Sequence, residues 1–141
     1  MYKNIIHATD LNADHYAMCA KSLKIAKAFD AKLFIMHVIE PPTSLQVAQG
    51  LGFTEICNQT ASAENAKEIL QMISESLGIP AQQIIVSLGS IKKQIQNKIS
   101  ELNCELIIIG KHSSNELMEL LGNNTHNLEK TINCDILTIG N

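Results

Sequence analysis

The sequence predicts an α/β protein built on a doubly wound, five-stranded parallel sheet with helices on both faces. Three observations carry this. Short apolar runs alternate with helical patterns along the whole chain, the arrangement that parallel sheets with right-handed crossovers require. The run Leu106-Ile107-Ile108-Ile109 is apolar at every position and rich in β-branched side chains, as a strand covered on both faces must be. That run stops at Gly110, and a helical pattern starts a few residues later, so the connection is a strand-to-helix turn of the kind where open α/β sheets bind ligands.

The elements follow in order. Ile5-Ile6-His7-Ala8-Thr9 is a first strand, ended by Asp10. A helix is expected from about Asn12 to Phe29, with Tyr16, Cys19, Ala20, Leu23 and Ala26 on one face at helical spacing. Lys32 to Val38 is a second strand. Next comes a connection from Ile39 to about Gln59, opened by Pro41-Pro42 and carrying Gly50 and Gly52. It is long for a compact domain, and such segments serve as lids and binding loops or as plain surface excursions. A second helix runs from about Ser62 to Leu77 on a stripe of Ala66, Ile69, Leu70, Ile73 and Leu77, and Gly78 followed by Pro80 stops it. Ile84 to Leu88 is a third strand. Gly89-Ser90 opens a third helix, with Ile91, Ile95, Ile99 and Leu102 on one side. After the fourth strand, a fourth helix is expected from about Asn115 to Thr131, through Leu117, Leu120, Leu121 and Leu128, and Asp135-Ile136-Leu137-Thr138-Ile139 is the fifth strand.

Composition bounds the function. The 141 residues suit one domain, spanning 1–141, able to bury roughly 70% of its unfolded surface. The net charge of −3 and an aromatic content of 4% argue against nucleic acid or an anionic membrane as the main partner. Cys19, Cys57, Cys104 and Cys134 form no C-x-x-C pair and have no zinc-ligand spacing. With no signal-peptide pattern ahead of the first strand and no membrane-length apolar run, a reduced cytoplasmic protein is expected. The fifth strand is an apolar edge with no following helix to cover it. Such edges are normally paired, so a homodimer through Asp135, Ile136, Leu137, Thr138 and Ile139 is expected.

Several motifs together resemble the universal stress protein family over essentially all 141 residues. They are Ala8-Thr9-Asp10 closing the first strand, His37-Val38 closing the second, Gly89 after the third, the Gly110-Lys111-His112 turn, and Asn133-Cys134-Asp135-Ile136-Leu137-Thr138-Ile139 at the end. The resemblance implies strand order 3-2-1-4-5, a dimer joined through the last strand, and a role in stress survival. Many members bind ATP through G-x2-G-x9-G-[S/T] after the fourth strand. Here Gly110 matches the first glycine, Ser113 stands at the second, and Asn123 at the third, with Gly122 one residue early. Asn124 occupies the hydroxyl position and Thr125 follows it. Glycine in such loops permits positive φ and lets backbone N–H groups approach phosphates, and Ser113 brings a Cβ into that space. The chain therefore resembles the branch that lacks the full motif. The ligand implied is ATP or AMP, held through Asp10, Val38, Gly110, His112, Ser113 and the Gly122, Asn123, Asn124, Thr125 turn; the opposing reading is a binding protein whose nucleotide site is altered.

The residues taken singly leave alternatives open. Asp10 fits an adenosine contact by the resemblance, while either Asp10 or Asn12 is placed to cap the first helix. Val38 would offer backbone groups to an adenine edge, although its side chain reads as core. His112 beside Lys111 reads as a phosphate-facing pair or as a solvated loop pair. His7 and His37 lie on neighbouring strands with no third metal ligand at sensible spacing, which makes them core histidines. Ser113 and Ser114 beside His112 do not define a triad, and no G-x-S-x-G elbow is present. No G-x-G-x-x-G follows the first strand, against a nicotinamide dehydrogenase. A phosphoacceptor receiver fails as well, because strands three and five end in Leu88-Gly89 and Ile139-Gly140 instead of the required aspartate and lysine. No constellation supports an enzyme of another kind, so binding and interaction are expected, with slow ATP hydrolysis at a retained nucleotide site as the alternative.

Overall fold

A computed structural model describes residues 1–11, 14–40, 63–111 and 134–140. Strand β1 (Asn4–Ala8) leads to α1 (His15–Ala28) and β2 (Lys32–Ile39). Helix α2 covers 63–77, a 3-10 turn spans Ala81–Gln83, and β3 is Ile84–Leu88. Helix α3 (Ile91–Leu102), β4 (Leu106–Gly110) and β5 (Asp135–Ile139) complete the described elements. The expected fourth helix and most of the connection after β2 lie outside the described residues, as does Cys57.

The sheet has the order β3-β2-β1-β4-β5. All four pairings are parallel, with Ile5 aligned on both Leu33 and Leu106. The chain builds outward from β1 to β3, then jumps back to place β4 on the far side of β1. With right-handed crossovers, that reversal moves the following helix to the opposite face. The packing agrees. Met18, Cys19 and Ala26 of α1 and Leu70 and Ile73 of α2 join Ile5, Ile35 and Ile108 in one cluster. Ile95 and Ile99 of α3 join Ile6, Met36, Val38, Ile107 and Ile109 in the other. Strands β1 and β4 are buried on both sides, which is why they read as unbroken apolar runs.

All three described helices end in the same way. An amide two or three residues past the helix bonds back five residues: Ala31 to Ala26 at 2.8 Å, Ile79 to Ser74 at 2.8 Å, and Cys104 to Ile99 at 3.0 Å. The residue before each such amide is left-handed: Asp30 at φ 55°, Gly78 at 74° and Asn103 at 53°. Glycine, asparagine and aspartate tolerate that region best, and the closure satisfies the terminal carbonyls.

Three expectations need correction. Helix α1 starts at His15 with Asp14 at its N-cap position, and Asp14 makes no capping bond there. Asp10 therefore does not cap it, because Leu11 turns the chain at φ 60° before the helix begins; Asn12 lies outside the described residues. The α1 face is also rotated from the expected stripe. Met18, Cys19, Ser22 and Ala26 are buried, whereas Tyr16 is 45% exposed. On α2, Ser74 is buried and Ile69 is 38% exposed, since the sheet beneath takes the Ala66–Leu70–Ile73 line.

Candidate functional site

The carboxyl ends of β1 and β2 open into a small cleft. Ala8, Thr9 and Asp10 form one wall, Met36 and Val38 another, and Ile91 and Ile95 of α3 close it. Helix α3 reaches this position because Gly89, at φ 140°, turns the chain sharply off β3. A Cβ at Gly89 would lie 2.8 Å from Nε2 of Gln94, whose flexible side chain would have to shift, and the positive φ itself strains any residue but glycine. Ser90 then caps α3, its hydroxyl accepting from the Lys93 amide at 3.5 Å.

The loop after β1 is fixed by a short relay. The Thr9 amide donates to the Met36 carbonyl at 2.9 Å, one ladder step beyond β1. The Thr9 carbonyl, which the next ladder amide would use, accepts from Nδ1 of His37 at 2.8 Å. The Thr9 hydroxyl accepts from the Leu11 amide at 3.1 Å, holding Leu11 in its left-handed conformation. A leucine at positive φ is uncommon, and strain of this kind collects at functional loops. Asp10 sits between these anchors at the cleft mouth. The backbone of Val38 lies on the same edge of β2, past the end of β1, while its side chain is core as expected.

Asp10 and Val38 are thus brought together. Gly110 is the last residue of β4, buried and aligned with Ile139 of β5, and it does not line this cleft. The Lys111 amide continues that pairing to the Ile139 carbonyl at 2.7 Å. His112, Ser113, Gly122, Asn123, Asn124 and Thr125 lie outside the described residues. Reading the sequence missed the Thr9–His37 lock and the apolar cover from Ile91 and Ile95. A polar residue at a strand end gives no signal of its partner, and the α3 contact depends on the reversal of strand order.

Among the described residues, electrostatics add no reactive group. Burial holds the His7 imidazole down at about 4, against 6.5 ordinarily. Burial also pushes the thiols of Cys19 and Cys104 up to about 12 and that of Cys134 to about 11, so all three stay neutral and unreactive. His7 and His37 each commit Nδ1 to a backbone carbonyl. Among the described residues, no group of three or more His, Cys, Asp or Glu side chains is placed to hold a metal. No described helix is long and apolar enough to cross a membrane.

The comparisons with known proteins agree with this geometry. A sequence model of the universal stress protein family matches residues 1–140. Universal stress protein A homolog 1 of Coxiella burnetii is 28% identical over 142 residues, covering 98% of this chain and 96% of its own. The structure of universal stress protein UspA from Lactobacillus plantarum superposes with a TM-score of 0.73 at 18% identity, covering 98% of this chain and 97% of that one. A universal stress protein solved in complex with cAMP superposes at 0.55 and 17% identity, covering 99% and 97%. The chain belongs to the universal stress protein family.

Proposed function

We propose that this protein is a cytoplasmic stress-response protein that acts as a homodimer through binding and interaction, with residues 1–141 as one domain and an altered nucleotide site. The observation that carries the reading is the substitution of the phosphate loop: Ser113 and Asn123 stand where the family motif has glycine. Side chains at both positions restrict the backbone approach that a triphosphate needs. Dimerisation is assigned to β5. It is an outer strand, and Ile136, Leu137 and Thr138 are only half-buried within one chain.

A second reading keeps ATP or AMP as ligand. It is favoured by Asp10 and Val38 sharing one cleft, by the retained Gly110, and by a structurally similar family member having been solved with cAMP. In that reading Asp10 contacts the adenosine moiety, the Val38 backbone meets the base edge, and the phosphates lie toward Gly110, His112, Ser113 and the Gly122, Asn123, Asn124, Thr125 turn.

One experiment separates the two. The purified protein is extracted for bound nucleotide, and its thermal unfolding is followed with and without Mg-ATP. Ligand at about 100 times its Kd adds about 2.7 kcal/mol of stability, an easily measured shift. The altered-site reading expects no co-purified nucleotide and no shift. A shift of that size, abolished in Asp10→Ala, overturns it in favour of nucleotide binding.

A further inference from the structure

Among the described residues, two buried side-chain atoms lack a hydrogen-bond partner: Nε2 of His7 and Oγ of Ser22. Both belong to the interface between α1 and the sheet. His7 is 1% exposed and, by the pleat of β1, shares a face with Ile5, which packs against α1 and α2. Ser22 is one of the four buried residues of α1.

The hydrogen bond at the other nitrogen fixes the tautomer. A carbonyl only accepts, so Nδ1 carries the proton and donates to the Ile108 oxygen at 3.0 Å. Nε2 therefore holds a lone pair, and a neutral imidazole leaves one acceptor unsatisfied, a tolerable cost. Protonation changes this sharply. It places a second N–H and a full charge in an apolar layer, where an unpaired charge is strongly disfavoured.

We propose that His7 is an acid-operated latch for α1: neutral, it packs silently beneath the helix; protonated, it drives α1 off the sheet so that water reaches Nε2. The groups around it offer little compensation. On α1, the Cys19 thiol stays neutral and Ser22 supplies only a hydroxyl. On β2, Nδ1 of His37 is committed to the Thr9 carbonyl. Helix α2 contributes Leu70 and Ile73, β4 contributes Ile108, and β5 contributes Leu137 and Ile139, all apolar. Among the described residues, the hydrogen bond to the Ile108 carbonyl and, less strongly, the carboxylate of Asp10 favour the imidazolium, and burial outweighs both.

The sign follows from where the proton binds. The closed form holds it more weakly than an opened or unfolded chain, so the open population grows as pH falls from about 6.5 toward about 4. The growth approaches tenfold for each pH unit in that window.

Hydrogen exchange with mass spectrometry, corrected for intrinsic rates, tests this between about pH 7 and about pH 4. The expected result is loss of protection in α1 ahead of α3 and β5, abolished in His7→Leu. Should that variant fail to fold, NMR titration of the His7 ring in the unaltered protein decides: it titrates well below the ordinary imidazole range, together with α1 exchange. Unchanged acid sensitivity of α1 in a folded His7→Leu overturns the proposal. So does titration of His7, at any pH, while α1 remains protected.

Discussion

The two outer strands of the sheet are secured very differently. Strand β5 is tied at both ends. The Tyr2 hydroxyl donates to Asp135 at 2.7 Å, and the Asp135 amide donates to the Glu105 carbonyl at 3.2 Å. At the far end, the Lys111 amide reaches Ile139 at 2.7 Å, and Nζ of Lys21 reaches the Gly140 carbonyl at 2.6 Å. For β3, the comparable tie among the described residues is the Gly89 amide on the Ile39 carbonyl at 3.0 Å. Leu88, the last residue of β3, is 49% exposed. Strand β3 beyond its ladder with β2 owes its register to packing, because a one-residue slip would move Ile85 from the α3-side cluster to the opposite one, where Ile84 and Val86 pack. A strand pinned by residues from α1, β4 and the start of the chain keeps its register independently of that. The pinned edge is the one suited to presenting a fixed row of backbone groups to a second copy.

The largest test of this contrast is Ile136→Asp. Ile136 packs against the α3-side cluster and sits on the proposed dimer edge. The substitution should convert dimer to monomer or aggregate and cost more than about 3 kcal/mol, read by sedimentation velocity and urea unfolding. A stable dimer of unchanged mass would place the interface elsewhere. Ile85→Asp is its counterpart on β3, packed against the same cluster. It should cost about 2–3 kcal/mol while the dimer mass persists; loss of the dimer here would reverse the roles of the edges. Gly89→Ala comes next, at about 1–2 kcal/mol, because it combines positive φ with the contact to Gln94. Adding Gln94→Ala should recover only the steric part, a split that a double-mutant cycle measures. Tyr2→Phe is the smallest, since the bond it removes is exposed. Faster amide exchange at the start of β5, with an unchanged thermal midpoint, is the expected result.

Legibility of the sequence follows the same physics. The apolar runs of β1 and β4 announced themselves because both faces of those strands are covered. Gly78 announced the end of α2, whereas Asp30 and Asn103 perform the same turn with residues that are equally at home elsewhere. The buried line of α1 is not legible by period counting because it contains the polar Ser22 and omits the aromatic Tyr16. At the candidate site, position after a strand was enough to single out Asp10 and Val38. The His37 imidazole that locks Thr9 was not legible, since that pairing joins residues 28 apart across two strands.

The reversal of strand order also governs how the molecule is made. Strands β1 and β2, which pair with each other in the finished sheet, leave the ribosome first. The other side of β1 must wait for β4, whose Ile108 meets His7 across 101 residues. At about 5–20 residues per second, that delay lasts roughly 5–20 s. For that interval β1, a strand that the finished fold buries on both faces, has an open flank, and open strand flanks recruit other chains. Newly synthesised copies are therefore most exposed to mispairing before β4 is translated, and crowded polysomes translating this message are where a holdase chaperone would matter most.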